Sequence, residues 1–346
     1  MDAFLNLKLK QLWEEKLPFV CFRLPNQNQL TLYFQKDTQL HYTQDLKCSG
    51  FVMAPYEAIS NVPFIPDQFV ETVQFKNEFS EDLDASEVVL DTREKPFFKT
   101  LVKKAKDTIA AGKLTKVVLS QAQKLTSNKS ILNVLEELLN RYPLAMVYLW
   151  HHPQVGTWFG ATPEQFISSQ KEGSRTVALA GTQIYHQSKP PRWTKKEREE
   201  QVLVALQVEQ DLRTLFPHDQ IKKSETSNQR AGNLVHLCTH FQFPALNGNL
   251  FEVAQALHPT PAVGGVPKAA AQDFIRTHEL HNRGFYTGFL GPITPTTTQL
   301  FVNLRCGRWT PEEVTLYVGA GITAQSDPDK EWQETLRKAK TLASVL

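Results

Sequence analysis

The sequence predicts an α+β protein built on antiparallel β-sheets. Residues 17–90 alternate short apolar runs, such as PFVCFRL and QLTLYFQ, with polar breaks. This pattern is typical of antiparallel strands with one buried face. Three more runs near the C-terminus, at 285–293, 299–305 and 315–319, predict neighbouring strands of one meander. Strands that follow one another through tight turns favour this class over a doubly wound parallel sheet.

The first part of the chain mixes helices with connections. The opening segment, MDAFLNLKLKQLWEEKL, predicts an amphipathic helix; it carries acidic residues and has no long apolar core, so we expect no signal peptide. A polar stretch at 77–95 predicts a connection. Residues 96–111 space their apolar side chains at helical intervals and predict a helix that stops at Gly112.

The middle of the chain predicts four further strands and two helices. The strands are predicted at 116–123, 145–150, 157–160 and 176–182. The segment SILNVLEELLNRY predicts a helix between the first two, and 194–216 predicts a long one. The apolar stripe of the long helix is expected at Val202, Leu203, Leu206, Leu212 and Leu215. A last helix closes the chain.

The composition is that of an ordinary globular protein. The 346 residues are 41% hydrophobic and 21% charged, and 38 Lys and Arg balance 36 Asp and Glu. This balance gives no footprint for nucleic acid or an anionic membrane, and no run reaches the roughly 18 apolar residues of a membrane span. Four cysteines without pairing spacings favour a reducing cytoplasm. We expect a strand-rich region at 1–95 integral to the fold, and a catalytic region at 96–346.

Two helix starts each carry a pair of carboxylates on one face. Glu197 and Glu200 open the long helix, and Glu331 and Glu334 open the last one. Acidic residues in a first turn also complement the helix macrodipole, and Asp327 or Asp329 would serve as the N-cap there. Oxygen-rich sites of this kind suit Mg²⁺, which binds through one or two carboxylates plus substrate. Capping and magnesium binding are both open at this point.

Three further motifs carry candidate chemistry. TKVVLSQ places Lys116 in an apolar strand, where it is either a snorkelling edge charge or a buried general base. GATPEQF fixes Glu164 directly after a proline turn, where the alternative is a solvated residue. HPTPAVGGVPK forms a stiff loop before a helix, with His258 beside it, and is either a connector or a carboxylate site.

Ten segments in order resemble the chorismate-utilising enzymes, which include anthranilate synthase component I, aminodeoxychorismate synthase and salicylate synthase. They span about residues 96–340 and read TKVVLSQ, GATPEQF, ALAGT, KEREEQ, LVHLCTHF, LHPTPAVGG, RGFYTGFLG, NLRCG, GAGI and SDPDKEWQET. The resemblance implies a two-layer core of large antiparallel sheets with helices outside. Lys116 matches the lysine that activates water in isochorismate and salicylate synthases. Ala180 stands where aminodeoxychorismate synthases carry a nucleophilic lysine, so the isochorismate branch is the nearest.

The resemblance also implies a role for each site residue. Lys116 would be the general base and Glu164 the general acid of a Mg²⁺-dependent conversion of chorismate to isochorismate. Metal ligands would be Glu200 and Glu334 directly, with Glu197 and Glu331 holding waters. Contacts to the substrate would come from Thr182, His258, Ala262, Tyr286, Arg305, Gly319 and Lys338. Chorismate would be the partner, with no glutamine amidotransferase subunit, and the chain is expected to be a monomer.

Several departures from the family pattern leave alternatives open. Gln121, Gln201 and Gly284 stand where many relatives carry arginine, histidine and glutamate. The connection to the magnesium helix is short, so Glu199 competes with Glu200 as ligand. Salicylate synthase and a catalytically silent chorismate-binding protein are the rival functions. Menaquinone and catechol siderophore pathways both use such a product.

Overall fold

Two antiparallel β-sheets form the centre of the protein. The computed structural model describes residues 3–75, 90–184, 190–231, 234–246 and 248–346. The connection predicted at 77–95 therefore lies mostly outside the described residues.

The strands alternate with seven helices in the described part of the chain. The strands are β1 (Phe19–Arg23), β2 (Gln29–Phe34), β3 (His41–Thr43), β4 (Gly50–Ala54), β5 (Val62–Pro66), β6 (Phe69–Gln74), β7 (Lys116–Leu125), β8 (Met146–His152), β9 (Gly156–Thr162), β10 (Gln165–Gln170), β11 (Gly173–Ile184), β12 (Lys222–Lys223), β13 (Ser227–Ala231), β14 (Leu234–Phe243), β15 (Gly265–Val266), β16 (Phe289–Ile293), β17 (Thr298–Val302), β18 (Cys306–Trp309) and β19 (Val314–Ile322). The helices are α1 (Ala3–Glu14), α2 (Lys95–Ala110), α3 (Ile131–Arg141), α4 (Lys195–Arg213), α5 (Leu250–Leu257), α6 (Lys268–His278) and α7 (Pro328–Ala343).

All paired neighbours in both sheets are antiparallel within the described residues, which confirms the predicted fold class. The first sheet has the order β15-β7-β19-β18-β9-β8-β1-β2-β6. The second has the order β12-β14-β11-β10-β17-β16-β4-β5-β3, with β13 paired to β14. The strands before residue 76 are divided between the sheets, so this region shares its hydrogen bonding with the rest of the chain.

The two sheets pack face to face, and helices cover their outer faces. Side chains from β1, β8, β4 and β16, including Phe22, Trp150, Phe51 and Leu290, form the core between the sheets. Helices α1, α3 and α7 pack on the outside of the first sheet, and α4 and α5 on the outside of the second. No helix among the described residues is both long and apolar enough to cross a bilayer.

Two sequence predictions about the packing are wrong. The strands predicted at 299–305 and 315–319 belong to different sheets, because the chain crosses between sheets after Val302. The predicted apolar stripe of α4 is also wrong at Val202, which is 56% exposed, and at Leu206, which is 46% exposed, although Leu212 of that stripe is buried. The helix buries Leu212 together with Gln201, Val204, Ala205 and Val208 against the second sheet. This orientation turns Glu197 and Glu200 toward a cavity.

Candidate active site

A cavity of about 500 Å³ is lined by residues of both sheets and by the first turns of α4 and α7. It brings together most of the residues that the sequence singled out, although they are spread over more than two hundred positions. Those that line it are Lys116, Glu164, Glu197, Glu200, Ala262, Tyr286, Arg305, Gly319, Glu331, Glu334 and Lys338. Glu199 does not line it; its side chain pairs with exposed Lys195 at 3.6 Å. Glu200 is therefore the cavity residue of the two.

Two predicted substrate contacts are not among the cavity side chains described. His258 is buried behind the cavity, where its Nε2 donates to the carbonyl of Tyr56 at 2.9 Å and its ring packs against Phe166 and Phe289. The prediction that it lines the ring pocket does not match this position, because the core and the backbone bond hold the ring. The side chain of Thr182 lies outside the described residues.

Lys116 is held inside the protein at the start of β7. Its residue is 1% exposed, and its Nζ lies 2.9 Å from Oε1 of Glu200 on α4. The alternative of a solvated edge lysine is therefore wrong. Since a buried charge requires a partner, Glu200 and Lys116 hold each other at the cavity wall.

Glu164 follows Pro163 in the turn between β9 and β10. The carboxyl is buried, and burial raises its pKa to about 7, although Lys116, Lys338 and Arg305 act in the opposite direction. A substantial share of Glu164 is consequently protonated near neutral pH. A protonated carboxyl in a cavity can donate a proton to a leaving group.

The four paired glutamates each have a partner in the cavity. Glu331 is 4% exposed and pairs with Lys196 at 2.9 Å, and Glu334 pairs with Lys338 at 2.8 Å. Burial alone would raise the pKa of Glu334, but Lys338 holds it below its usual value. Glu197 accepts from the backbone of Thr194 at 2.7 Å in a capping box that begins α4.

The N-cap of α7 is a separate residue. The side chain of Asp327 accepts from the backbone of Asp329 at 3.1 Å and of Lys330 at 3.0 Å. Glu331 and Glu334 therefore do not serve as the N-cap, and both line the cavity. In kind, the four carboxylates suit a hard divalent cation. Among the described residues no three His, Cys, Asp or Glu side chains form a metal-binding group, and three of the carboxylates, Glu200, Glu331 and Glu334, each pair with a lysine.

Two cations and a phenol also line the cavity, and we refer to Lys338, Arg305 and Tyr286 as its cationic wall. Lys338 donates to the carbonyl of Gly319 at 2.8 Å. The ring of Tyr286 stacks on that of Tyr317, with 5.5 Å between the ring centroids. Arg305 lies where the chain crosses from the second sheet to the first, with a positive φ of 47°. This backbone conformation is uncommon outside glycine and turns the chain sharply at that point. The wall can accommodate an anion beside the protonated Glu164.

His236 and Lys196 are among the cavity residues that sequence reasoning missed. His236 on β14 lies opposite Thr182 in the sheet register, and its Nδ1 donates to the carbonyl of Gly181 at 3.1 Å. Burial, and then Arg305, lower the pKa of His236 to about 4, so the ring is neutral at pH 7. Pairing LVHLCTHF with ALAGT as neighbouring strands would have found it. Lys196 precedes the Glu197 pair directly and was visible only as part of a charge run.

Gly321 provides the space that the Lys116–Glu200 pair needs. A Cβ at this position would lie 2.9 Å from Oε1 of Glu200 and 3.3 Å from Cε of Lys116. Gly321→Ala is therefore expected to push the pair apart and lower kcat by about tenfold, or ~1.4 kcal/mol in activation free energy. Steady-state kinetics and urea unfolding together would check this. An unchanged kcat in a folded variant would show that the space is not needed.

A family model described as chorismate binding enzyme matches residues 64–346. The chain belongs to the family of chorismate-binding enzymes. The salicylate biosynthesis isochorismate synthase of Pseudomonas aeruginosa is 30% identical, over 71% of this chain and 53% of that protein. Isochorismate synthase EntC of Escherichia coli K12 is 29% identical, over 73% of this chain and 67% of that protein. The chain thus spans about half to two thirds of the length of these two relatives.

The fold of this chorismate-binding enzyme also matches solved structures. The crystal structure of a putative 2,3-dihydroxybenzoate-specific isochorismate synthase, DhbC, from Bacillus anthracis superposes with a TM-score of 0.79 at 21% identity. The match covers 97% of this chain and 98% of that one. At this identity the likeness establishes the shared fold.

The positions where this chorismate-binding enzyme departs from the family pattern do not line the cavity. Gln201 donates to the carbonyl of Ala178 and to Oγ1 of Thr239, each at 3.0 Å, and so anchors α4 on the second sheet. Gln121 accepts from Gln123 at 2.8 Å and bonds Thr335. Gly284 adopts a positive φ of 55° in a turn. These substitutions leave the cavity wall intact.

Proposed function

We propose that this chorismate-binding enzyme is an isochorismate synthase that isomerises chorismate to isochorismate with Mg²⁺. The observation that carries the proposal is that two buried groups line the same cavity. One is Lys116, and the other is the carboxyl of Glu164, whose pKa burial raises to about 7. The two relatives from Pseudomonas aeruginosa and Escherichia coli, both named isochorismate synthases, support the same activity. We further expect a monomer that acts without an amidotransferase subunit.

The reaction requires a base and an acid at separate ring positions. Water, deprotonated by Lys116, adds at C2 while the ring double bonds shift and the C4 hydroxyl departs. Hydroxide is a poor leaving group, so Glu164 must deliver a proton to it. Because its pKa is raised to about 7, the carboxyl of Glu164 can carry this proton near neutral pH. The proton lost by water and the proton gained by the leaving group balance, and the product is an isomer of chorismate.

The anionic groups of the substrate match the cationic wall. Arg305 and Tyr286 would bind the enolpyruvyl carboxylate, helped by the backbone at Gly319. Lys338 would approach the ring carboxylate, and Ala262 would line the ring pocket. Charge-assisted bonds of this kind fix orientation as well as affinity. Neutral His236 is available to the same substrate as a ring contact.

Magnesium is proposed from the kind and placement of the carboxylates. Glu200 and Glu334 would bind the ion directly, and Glu197 and Glu331 through its waters. When bound, the ion would supply charge neutralisation for a carboxylate of the dianion. For this to occur Glu200 must leave Lys116, and Glu334 must leave Lys338. Departure of Glu200 would also remove the carboxylate that holds Lys116 as an ammonium. Lys116 could then lose a proton to solvent and, as a free amine, take a proton from the attacking water.

Lys196 is expected to oppose magnesium binding in the absence of substrate. Its ammonium lies 2.9 Å from Glu331, whereas its neighbour Lys195 pairs only with exposed Glu199. Lys196→Met is therefore expected to tighten Mg²⁺ binding by about tenfold, which is ~1.4 kcal/mol. Calorimetric titration of the protein with MgCl₂ would measure it, with Lys195→Met as the matched control. Unchanged or weaker binding in Lys196→Met would contradict the expectation.

Product analysis tests the proposed activity. Purified protein would be incubated with chorismate, with and without Mg²⁺, and the products separated by chromatography. Isochorismate alone, lost after metal removal and in Glu334→Gln, is expected. Salicylate with pyruvate would assign the chain to salicylate synthase. Unchanged chorismate, together with a thermal shift on chorismate addition, would indicate a silent binding protein.

A further inference from the structure

The edge of β7 loses its backbone partner close to Lys116. Strand β15 pairs only with Lys116 and Val117, and Val118 donates to the carbonyl of Gly264 at 2.8 Å. The next two polar groups on this edge are the carbonyl of Val118 and the N–H of Ser120. Such groups are costly to bury without a bond.

Two side chains take over where β15 ends. Arg283 donates from Nη2 to the carbonyl of Val118 at 2.7 Å, and the N–H of Ser120 donates to Oε1 of Glu279 at 2.7 Å. Arg283 and Glu279 also pair with each other at 2.6 Å, and both side chains are 2% exposed. An ion pair thus continues the hydrogen-bond ladder of the sheet.

Every N–H group of the Arg283 guanidinium has a hydrogen-bond acceptor, which distinguishes this pair from an incidental ion pair. The five N–H groups of Arg283 match five bonds, two to Glu279 and one each to Val118, Val263 and Thr287. Glu279 accepts additionally from the hydroxyl of Ser120 at 2.9 Å. A network with every donor used has one geometry and therefore specifies a position.

The groups held by this network form the cavity wall. Val118 and Val263 line the cavity directly, and Lys116 lies two residues before Val118 on the same face of β7. The carbonyl of Arg283 accepts from the backbone of Tyr286 at 2.9 Å. One ion pair therefore joins the strand of the proposed base, the loop of Ala262 and the segment of Tyr286.

We propose that Glu279 and Arg283 are a positioning pair that fixes the strand of Lys116 against the Ala262 loop and Tyr286. The catalytic part of this inference rests on the proposed function. Stability alone is a weak reason for such a pair, because apolar residues of similar volume often replace a buried ion pair without loss. Misplacement of reacting groups by about 1 Å can cost about 10²-fold in rate.

Arg283→Lys and Glu279→Gln test the pair with nearly the same volume. Hydrogen exchange of peptides covering 114–125 would be followed by mass spectrometry, and kcat and KM for chorismate measured with Mg²⁺. We expect exchange to accelerate about tenfold or more on β7 and kcat to fall about 10–10²-fold, with KM changed less than about threefold. Arg276→Lys, which removes an exposed arginine paired to Asp273 in the same region, is the control. Urea unfolding would verify that each variant is folded in the assay.

The outcomes separate this inference from the proposed function. Wild-type exchange on β7 in both variants would overturn it, as would a loss of kcat that only follows the unfolded fraction. A KM increase with unchanged kcat would also overturn it, since the pair would then act on binding. Faster exchange on β7 in a protein whose wild type does not convert chorismate would support the positioning of β7 and reject the proposed function.

Discussion

Lys116→Met is expected to lower kcat by about 10²–10⁴-fold and leave chorismate binding nearly unchanged. Methionine fills a similar volume but cannot take a proton from water. The side chain is almost fully buried beside Glu200, so the loss would reflect the missing base and the unpaired Glu200. Stopped assays of product formation, together with calorimetric binding of chorismate, would measure both quantities.

Lys124→Met is the matched control for this substitution. Lys124 lies on the same strand, but its side chain is 65% exposed and pairs with Glu313 at the surface. We expect wild-type kcat for this variant. If Lys116→Met retained kcat within a few-fold of wild type while folded, water activation by Lys116 would be wrong.

Glu164→Gln is expected to lower kcat by a similar about 10²–10⁴-fold, because the amide cannot supply a proton to the C4 hydroxyl. The same role predicts the direction in which kcat changes with pH. An acid must be protonated, and the pKa of Glu164 is raised to about 7 by burial. Because Glu164 loses its proton as the pH rises through about 7, the kcat of wild type should fall about tenfold per pH unit well above pH 7.

The residual activity of Glu164→Gln should lose this alkaline decline. Glu172→Gln, at an exposed turn of the same region, should keep wild-type kcat and its pH profile. A decline above pH 7 that persists unchanged in Glu164→Gln would assign the titration to another group. That result would remove Glu164 from the acid role.

Most of the longer strands were predictable, but β10, β14 and β18 were not predicted, and neither was the sheet to which each strand belongs. Alternation reports which side chains share a face, and it does not report the partner strand. The strand near 299–305 therefore looked contiguous with the one near 315–319, although Arg305 turns the chain into the other sheet. The face of α4 was misjudged for a related reason. Val202 and Leu206 are apolar but exposed, whereas Gln201 is polar but buried, and two hydrogen bonds satisfy its side-chain amide nitrogen.

The site was predictable where motif and geometry coincide. Lys116, Glu164 and both glutamate pairs line one cavity. His258 was placed near the ring by the family resemblance, yet its side chain turns into the core to reach Tyr56. The partners of the charges were not predictable, since a sequence shows which residues are charged and not which of them meet. The lysines on the carboxylates and the Glu279–Arg283 pair emerge only from the fold.

Conversion of chorismate in H₂¹⁸O with Mg²⁺ tests the central claim most directly, because the claim is that solvent water adds at C2 as the C4 hydroxyl leaves. Mass spectrometry of the product should find isochorismate with one oxygen from solvent, which two-dimensional NMR should locate at C2. Isochorismate without solvent oxygen, or a product that keeps the original C4 oxygen, would contradict water addition and with it the roles of Lys116 and Glu164.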